Sequence, residues 1–276
     1  TQVKIRVPAG LVTDKYGNSN KETDLNVYNV LKKTDTETSA TSGFLGNTSI
    51  QRQNIDNITF TKNINEANET KWDVSASGDG SIIAWYTKNS NGSFKVYIGS
   101  KDEIFGNQTS NYLFAYIGYT DICTSEETIT NIDLLNVNSV LNMTRMFCYT
   151  GNNSMIKLDL GTNFDTKNVV WMNSMFEGTG YNKMTTLNLG SKFNTGTVSK
   201  MNQMFYKTGY TAMEKLDLGE NFDTKNVDDM QFMFYKTGYT VMSSLNLGSK
   251  FDTSKVTNMD SMFHSTGYNK LSSLNL

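Results

Sequence analysis

The amino-acid sequence predicts an α/β solenoid in which each 29-residue repeat supplies one short parallel strand and one short helical turn, preceded by a β-rich N-terminal cap. Three observations lead there. All fourteen methionines fall in the second half of the chain, on three columns spaced by 29 residues. Phenylalanine and leucine columns keep the same interval, and a Leu-x-Leu pair closes every unit. Apolar positions that recur at one fixed interval mark copies of a small unit that cannot bury its apolar side without neighbours.

In chain order, residues 1–31 read as the remnant of a preceding β module. Val3, Ile5 and Val7 alternate as a strand, and Leu11 to Asn18 leads into a turn. The phrase Val7-Pro8-Ala9-Gly10 through Asp14-Lys15-Tyr16-Gly17-Asn18 resembles the last strands of bacterial immunoglobulin-like modules. Residues 32–43 hold no apolar side chain larger than alanine and read as a linker. From 44 to 106 the pattern is strand and turn: Ile55, Ile58 and Phe60 form one apolar run, Ile82 to Tyr86 another, and Phe94, Val96 and Ile98 alternate. This segment is the expected cap. Residues 107–134 read as a degenerate first turn, because Leu113-Phe114 mimics the Met-Phe of the repeats and Ile132-Asp133-Leu134 mimics their strand.

Residues 135–276 divide into five copies, 135–163, 164–192, 193–221, 222–250 and an incomplete 251–276. The methionine columns are Met143, Met172, Met201, Met230 and Met259; Met146, Met175, Met204, Met233 and Met262; and Met155, Met184, Met213 and Met242, which Leu271 completes. Core packing explains them, since Met fills irregular gaps. The spacing of Val169, Met172, Met175 and Phe176 suits one side of a short helix. Asn136, Asp165, Asn194, Asp223 and Asp252 stand where helix N-caps would. The closing leucines, such as Leu158 and Leu160, alternate as in a strand, and Gly161, Gly190, Gly219 and Gly248 turn the chain after it.

Two outward rows are the candidate ligand-binding residues. The strand row runs Asp159, Asn188, Asp217 and Asn246, ending at Asn275, beside Lys157, Thr186, Lys215, Ser244 and Ser273. Asp never follows Asp, so like charges are not placed about 4.8 Å apart in neighbouring strands. The alternation implies two subtypes of repeat and duplication of a pair. This row is either a solvated sheet face or a polar ligand face. The second row is Tyr181, Tyr210, Tyr239 and Tyr268, each closing a Thr-Gly-Tyr turn, with Tyr206 and Tyr235 nearby. Tyrosines in line either cover the flank of the core or supply amphipathic binding area.

Composition excludes several functions. With 19% charged residues and a net charge of −2, neither a nucleic-acid surface nor a polybasic membrane patch is present. No stretch approaches the roughly 18 apolar residues of a membrane span. The single histidine, His264, shares a turn column with Cys148, Glu177, Tyr206 and Tyr235. Neither metal-ligand spacing, nor a nucleophile elbow, nor a phosphate loop occurs, so catalytic residues, metal and cofactor are all expected to be none. Cys123 and Cys148 either pair between adjacent turns or remain reduced. Seven Asn-x-Ser/Thr sequons occur, including Asn107 and Asn142, as chance allows in a chain so rich in Asn and Thr. The chain starts at Thr1 and stops at Leu276 inside a repeat, which reads as a processed chain or a piece of a longer one.

Leu245-x-Leu247 followed by Phe251-Asp252-Thr253-Ser254-Lys255-Val256-Thr257-Asn258-Met259, then Ser261-Met262-Phe263, resembles the BspA-type leucine-rich repeat surface proteins of bacteria. Trp72-Asp73-Val74-Ser75, Gly78-Asp79-Gly80, Tyr97-Ile98-Gly99 and Tyr112-Leu113-Phe114 resemble the module that precedes such repeats. The resemblance spans roughly 44–276 and implies a leucine-rich-repeat-like stack in an extracellular, cell-surface adhesion protein. Its implied partner is an extracellular protein or glycan. The extra residues around Thr-Gly-Tyr depart from the common pattern, so no ligand carries over. The alternative is a structural spacer, stalk or self-assembling surface-layer or filament component, associating through an uncapped C-terminal end.

Overall fold

The computed structural model describes residues 4–21, 23–26, 28–34, 43–272 and 274. Val3, most of the expected linker (35–42), and the ladder ends Ser273, Asn275 and Leu276 lie outside the described residues. The largest sheet has five strands in the order Ile129–Thr130, Ile55–Thr61, Phe94–Gly99, Ile83–Lys88, Trp72–Asp73. Ile55–Thr61 runs parallel to both neighbours, whereas Ile83–Lys88 is antiparallel to Phe94–Gly99 and to Trp72–Asp73. Strict alternation puts Val96 and Ile98 on the buried face. Ile55 and Ile58 are three apart, so strict alternation would send them to opposite faces. A register shift between Ile55 and Asn57 restores the phase, and Ile55, Ile58 and Phe60 are all buried.

Asn29–Val30 pairs in parallel with Ile104–Phe105, which pairs with Leu135–Asn136. The side chain of Leu31 is buried beside this sheet. Lys4–Val7 and Thr23–Asn26 form a separate antiparallel pair.

The expected α/β solenoid needs correction. No α-helix occurs among the described residues; the only helical pieces there are 3-10 turns at Arg52–Asn54, Ile64–Glu66 and Ile132–Leu134, so the helical turn per repeat is absent. The repeat strands do not join into one sheet either. Lys157–Asp159 pairs with Thr186–Asn188, and Lys215–Asp217 with Ser244–Asn246, as two separate two-stranded parallel sheets. The protein is mostly β and turn, with several small sheets.

The missing helix has a physical cause in the amides. In the second described copy of the turn segment, the N–H groups of Met172, Ser174, Phe176 and Gly178 donate to the carbonyls of Lys200, Asn202, Met204 and Tyr206, one copy further on. The amides between them, Met175, Glu177 and Thr179, donate three residues back, to Met172, Ser174 and Phe176. A helix would direct every amide four residues back within its own segment; here every second one is taken by the neighbouring copy. The backbone follows suit, with Arg145, Ser174, Gln203, Phe232 and Ser261 all at φ between 53° and 59°. That left-handed conformation breaks a right-handed helix at each recurrence.

The supposed helix caps are Asx turns. Asp165, Asn194, Asp223 and Asp252 accept from the amides of Lys167, Gly196, Lys225 and Ser254, two residues on. Asn136 does the same for Asn138. Side-chain chemistry was the one expected, an oxygen satisfying a nearby N–H, but no helix follows.

The core columns lie where the 29-residue interval puts them. All methionines of the three columns are buried except Met259, which is 48% exposed. The rings of Phe114, Phe147, Phe176, Phe205, Phe234 and Phe263 stack with centroids 5.2–5.5 Å apart. Such close offset rings add to the burial of their area.

Candidate functional site

The Thr-Gly-Tyr turn divides its three residues between core and surface. Thr179, Thr208, Thr237 and Thr266 are buried, and each hydroxyl donates to the carbonyl of Phe147, Phe176, Phe205 or Phe234 at 2.6–2.7 Å. A buried hydroxyl needs such a partner. Gly180, Gly209, Gly238 and Gly267 sit at φ between 53° and 58°, and a Cβ on Gly180 would lie 2.2 Å from the Cβ of Met184. Glycine is therefore required twice over, by conformation and by space. The tyrosine that follows is thrown outward.

Those tyrosines form one row. Tyr181–Tyr210, Tyr210–Tyr239 and Tyr239–Tyr268 have centroids 4.6, 4.9 and 5.2 Å apart with planes within 5° of parallel. The first three are half-buried and Tyr268 is exposed. Burial raises the pKa of the Tyr181 hydroxyl, and Tyr210 beside it adds to the shift. Each ring covers its neighbour, so the row presents ring edges and hydroxyls.

A second aromatic row runs beside the first. Tyr206 stacks on Tyr235 at 4.9 Å, and His264 on Tyr235 at 5.0 Å. Phe232 meets both Tyr206 and Tyr235 edge-on. Lys207 lies over Tyr206 at 5.1 Å, while Lys236 lies over Tyr235 at 5.3 Å and over Tyr239 at 5.9 Å. Lys236 thus touches both rows and joins them into one face. Upstream the face changes character: Tyr149 stacks on Tyr116 at 5.5 Å, and Glu177 faces Arg145 at 3.7 Å. Sequence reasoning noticed Tyr206 and Tyr235 but passed over Lys207, Lys236 and Phe232. The available signal was the Tyr-Lys pair repeated at 206–207 and 235–236.

The Asp/Asn row is occupied with its own turns. Asp159, Asn188, Asp217 and Asn246 accept from the amides of Gly161, Gly190, Gly219 and Gly248 at 2.9–3.1 Å. Asn188 also donates to Asp159, and Asn246 to Asp217. No hydrogen bond or ring contact among the described residues joins this row to the tyrosines.

Cys123 and Cys148 are both buried and unpaired. Burial pushes the Cys123 thiol up to about 11, and burial and Glu177 together raise Cys148. Among the described residues no group of three His, Cys, Asp or Glu side chains could hold a metal ion. The carboxylate of Asp14 accepts from Tyr16 and Asn18 in its own turn. Sequons follow the turn chemistry: Asn47, Asn68, Asn91, Asn107 and Asn142 each accept from the amide of the Ser or Thr two residues on. Asn-x-Ser/Thr is frequent here because it closes Asx turns.

The family described as "Mycoplasma protein of unknown function, DUF285" matches residues 120–237 and 209–274, together more than half of the chain. The chain belongs to that family. No curated protein and no solved structure matches it. Among the described residues, no helix is long and apolar enough to cross a membrane.

Proposed function

We propose that this chain is a non-enzymatic binding module of a bacterial surface protein, attaching to an extracellular protein or glycan through its tyrosine face. The observation that carries it is the unbroken row from Tyr181 to Tyr268, joined by Lys236 to the Tyr206–Tyr235 row. Tyrosine supplies large contact area at small cost in conformational entropy, with a hydroxyl to fix orientation. The resemblance of 44–276 to BspA-type surface proteins supports an extracellular, cell-surface setting. Asp159, Asn188, Asp217 and Asn246 take the lesser part, since their oxygens already serve the glycine turns.

The experiment is attachment of the labelled chain to arrays of extracellular proteins and glycans, with Tyr181, Tyr210, Tyr239 and Tyr268 replaced by alanine singly and together. Attachment should fall with each replacement and vanish in the quadruple variant, whose folding is checked by thermal melting. A folded quadruple variant that attaches as well as the parent removes the tyrosine face from consideration.

A further inference from the structure

We infer that the Lys207–Lys236 strip is an anion-binding site that takes a linear acidic polysaccharide, one carrying sulfate or carboxylate groups along its length. This rests on the binding-face reading above and names the ligand class of that face.

The ground is charge. Four other lysines of the repeats are answered by carboxylates, Lys157 by Asp159, Lys167 by Asp165, Lys200 by Asp228 and Lys225 by Asp223, all at 2.8–3.2 Å, and Lys192 and Lys255 donate to the side-chain carbonyls of Asn163 and Asn226 one copy earlier. Among the described residues no carboxylate lies within ion-pair distance of Lys207 or Lys236; aromatic rings hold them instead. Their supporting rings are 4.9 Å apart, so two like charges occupy adjacent copies without a counter-charge. An anion lying along the strip relieves that repulsion.

Geometry selects among polyanions. The tyrosine faces are covered by one another at 4.6–5.2 Å, which leaves no slot for an intercalated base. Single-stranded nucleic acid needs exposed ring faces for stacking. A lipid surface favours an apolar side chain that enters it beside the basic groups; here the apolar ring next to the lysines, Phe232, is half-buried edge-on against Tyr206 and Tyr235. What remains is a row of hydroxyls on rings 4.6–5.2 Å apart, flanked by two cations, suited to a linear chain that carries hydroxyl and anionic groups along its length.

The test uses the full chain on immobilised heparin as the sulfated probe and on a polyuronate as the carboxylated one, with phosphatidylglycerol vesicles as the lipid arm. Variants are Lys207→Gln/Lys236→Gln and, for equal charge loss elsewhere, Lys192→Gln/Lys215→Gln. The parent should bind at least one glycan with an affinity that falls as salt rises. The first double variant should lose about tenfold or more, whereas the control should stay within about twofold. Failure to bind either glycan, equal loss in both double variants, or tighter binding to vesicles would each overturn the inference. If the chain attaches to another extracellular ligand through its tyrosines while ignoring both glycans, this inference falls and the binding-face reading stands. If the glycans bind through the lysines and the tyrosine variants attach normally, the reverse holds.

Discussion

The side-chain amide of Asn188 donates to the carboxylate of Asp159 across 3.0 Å, one copy earlier in the chain. Asn246 repeats this with Asp217 at 3.1 Å. Asp217 has no N–H with which to serve Asn188 in the same way, so the later residue of a pair must be Asn. The strand pairs follow the same division, 157–159 with 186–188 and 215–217 with 244–246.

Asn188→Asp should place two carboxylates in contact and lower stability by about 1 kcal/mol at neutral pH. Asp159 sets the pH dependence. Burial by itself raises its carboxyl, but the Lys157 ammonium, the Gly161 amide and Asn188 together hold it below the usual 3.8. A depressed carboxyl stabilises the fold above the unfolded value and loses that contribution as pH falls through the folded one. Denaturant melts should show the variant's deficit at pH 7 shrinking below about pH 4, where carboxyls protonate. A deficit independent of pH would point to packing instead.

Thr208→Val should cost about 1 kcal/mol, because the hydroxyl bond to the Phe176 carbonyl at 2.6 Å is lost inside the core. Thr208→Ser keeps the hydroxyl and should recover part of the loss. Thermal melts of the pair decide it; a Thr208→Val variant as stable as the parent would deny the hydroxyl bond its contribution.

Glycines of similar φ should respond differently to alanine. At Gly219, φ +77, nothing lies within 4 Å of an added Cβ, and Gly219→Ala should cost only the backbone term, about 1 kcal/mol. At Gly209, φ +54, the Cβ would lie 2.5 Å from that of Met213, and Gly209→Ala should cost about 3 kcal/mol. Chemical denaturation of the two variants measures the difference.

Both thiols should resist a soluble disulfide reagent in the native state and react on unfolding, since each is buried and unpaired. Because burial raises Cys123 from 9.0 to about 11, the unfolded chain loses its proton first as pH rises. Stability should therefore decline between about pH 9 and 11, and Cys123→Ala should flatten that decline. Rapid labelling of the folded protein would contradict the burial.

Far-ultraviolet circular dichroism should show β and turn signal with no helical signature, as the amide pairing of residues 172–179 requires.

Methionine, phenylalanine and leucine columns were legible in the sequence because burial repeats with the interval of the copies, and Met172, Met175 and Phe176 point inward whatever the local backbone does. The helix was misread because spacings of three suit both a helix and a run of turns. What separates them is the destination of an amide such as that of Phe176, which lies 28 residues away at Met204. The tyrosine row was visible as a column, but the position of Lys236 over both Tyr235 and Tyr239 was not. By itself the sequence determined which residues line the core and which recur on the surface, since both follow from periodicity. Tertiary structure decided how the backbone bonds are shared between copies and which surface residues meet, because hydrogen-bond partners and ring contacts between copies are non-local and leave no trace in the local spacing.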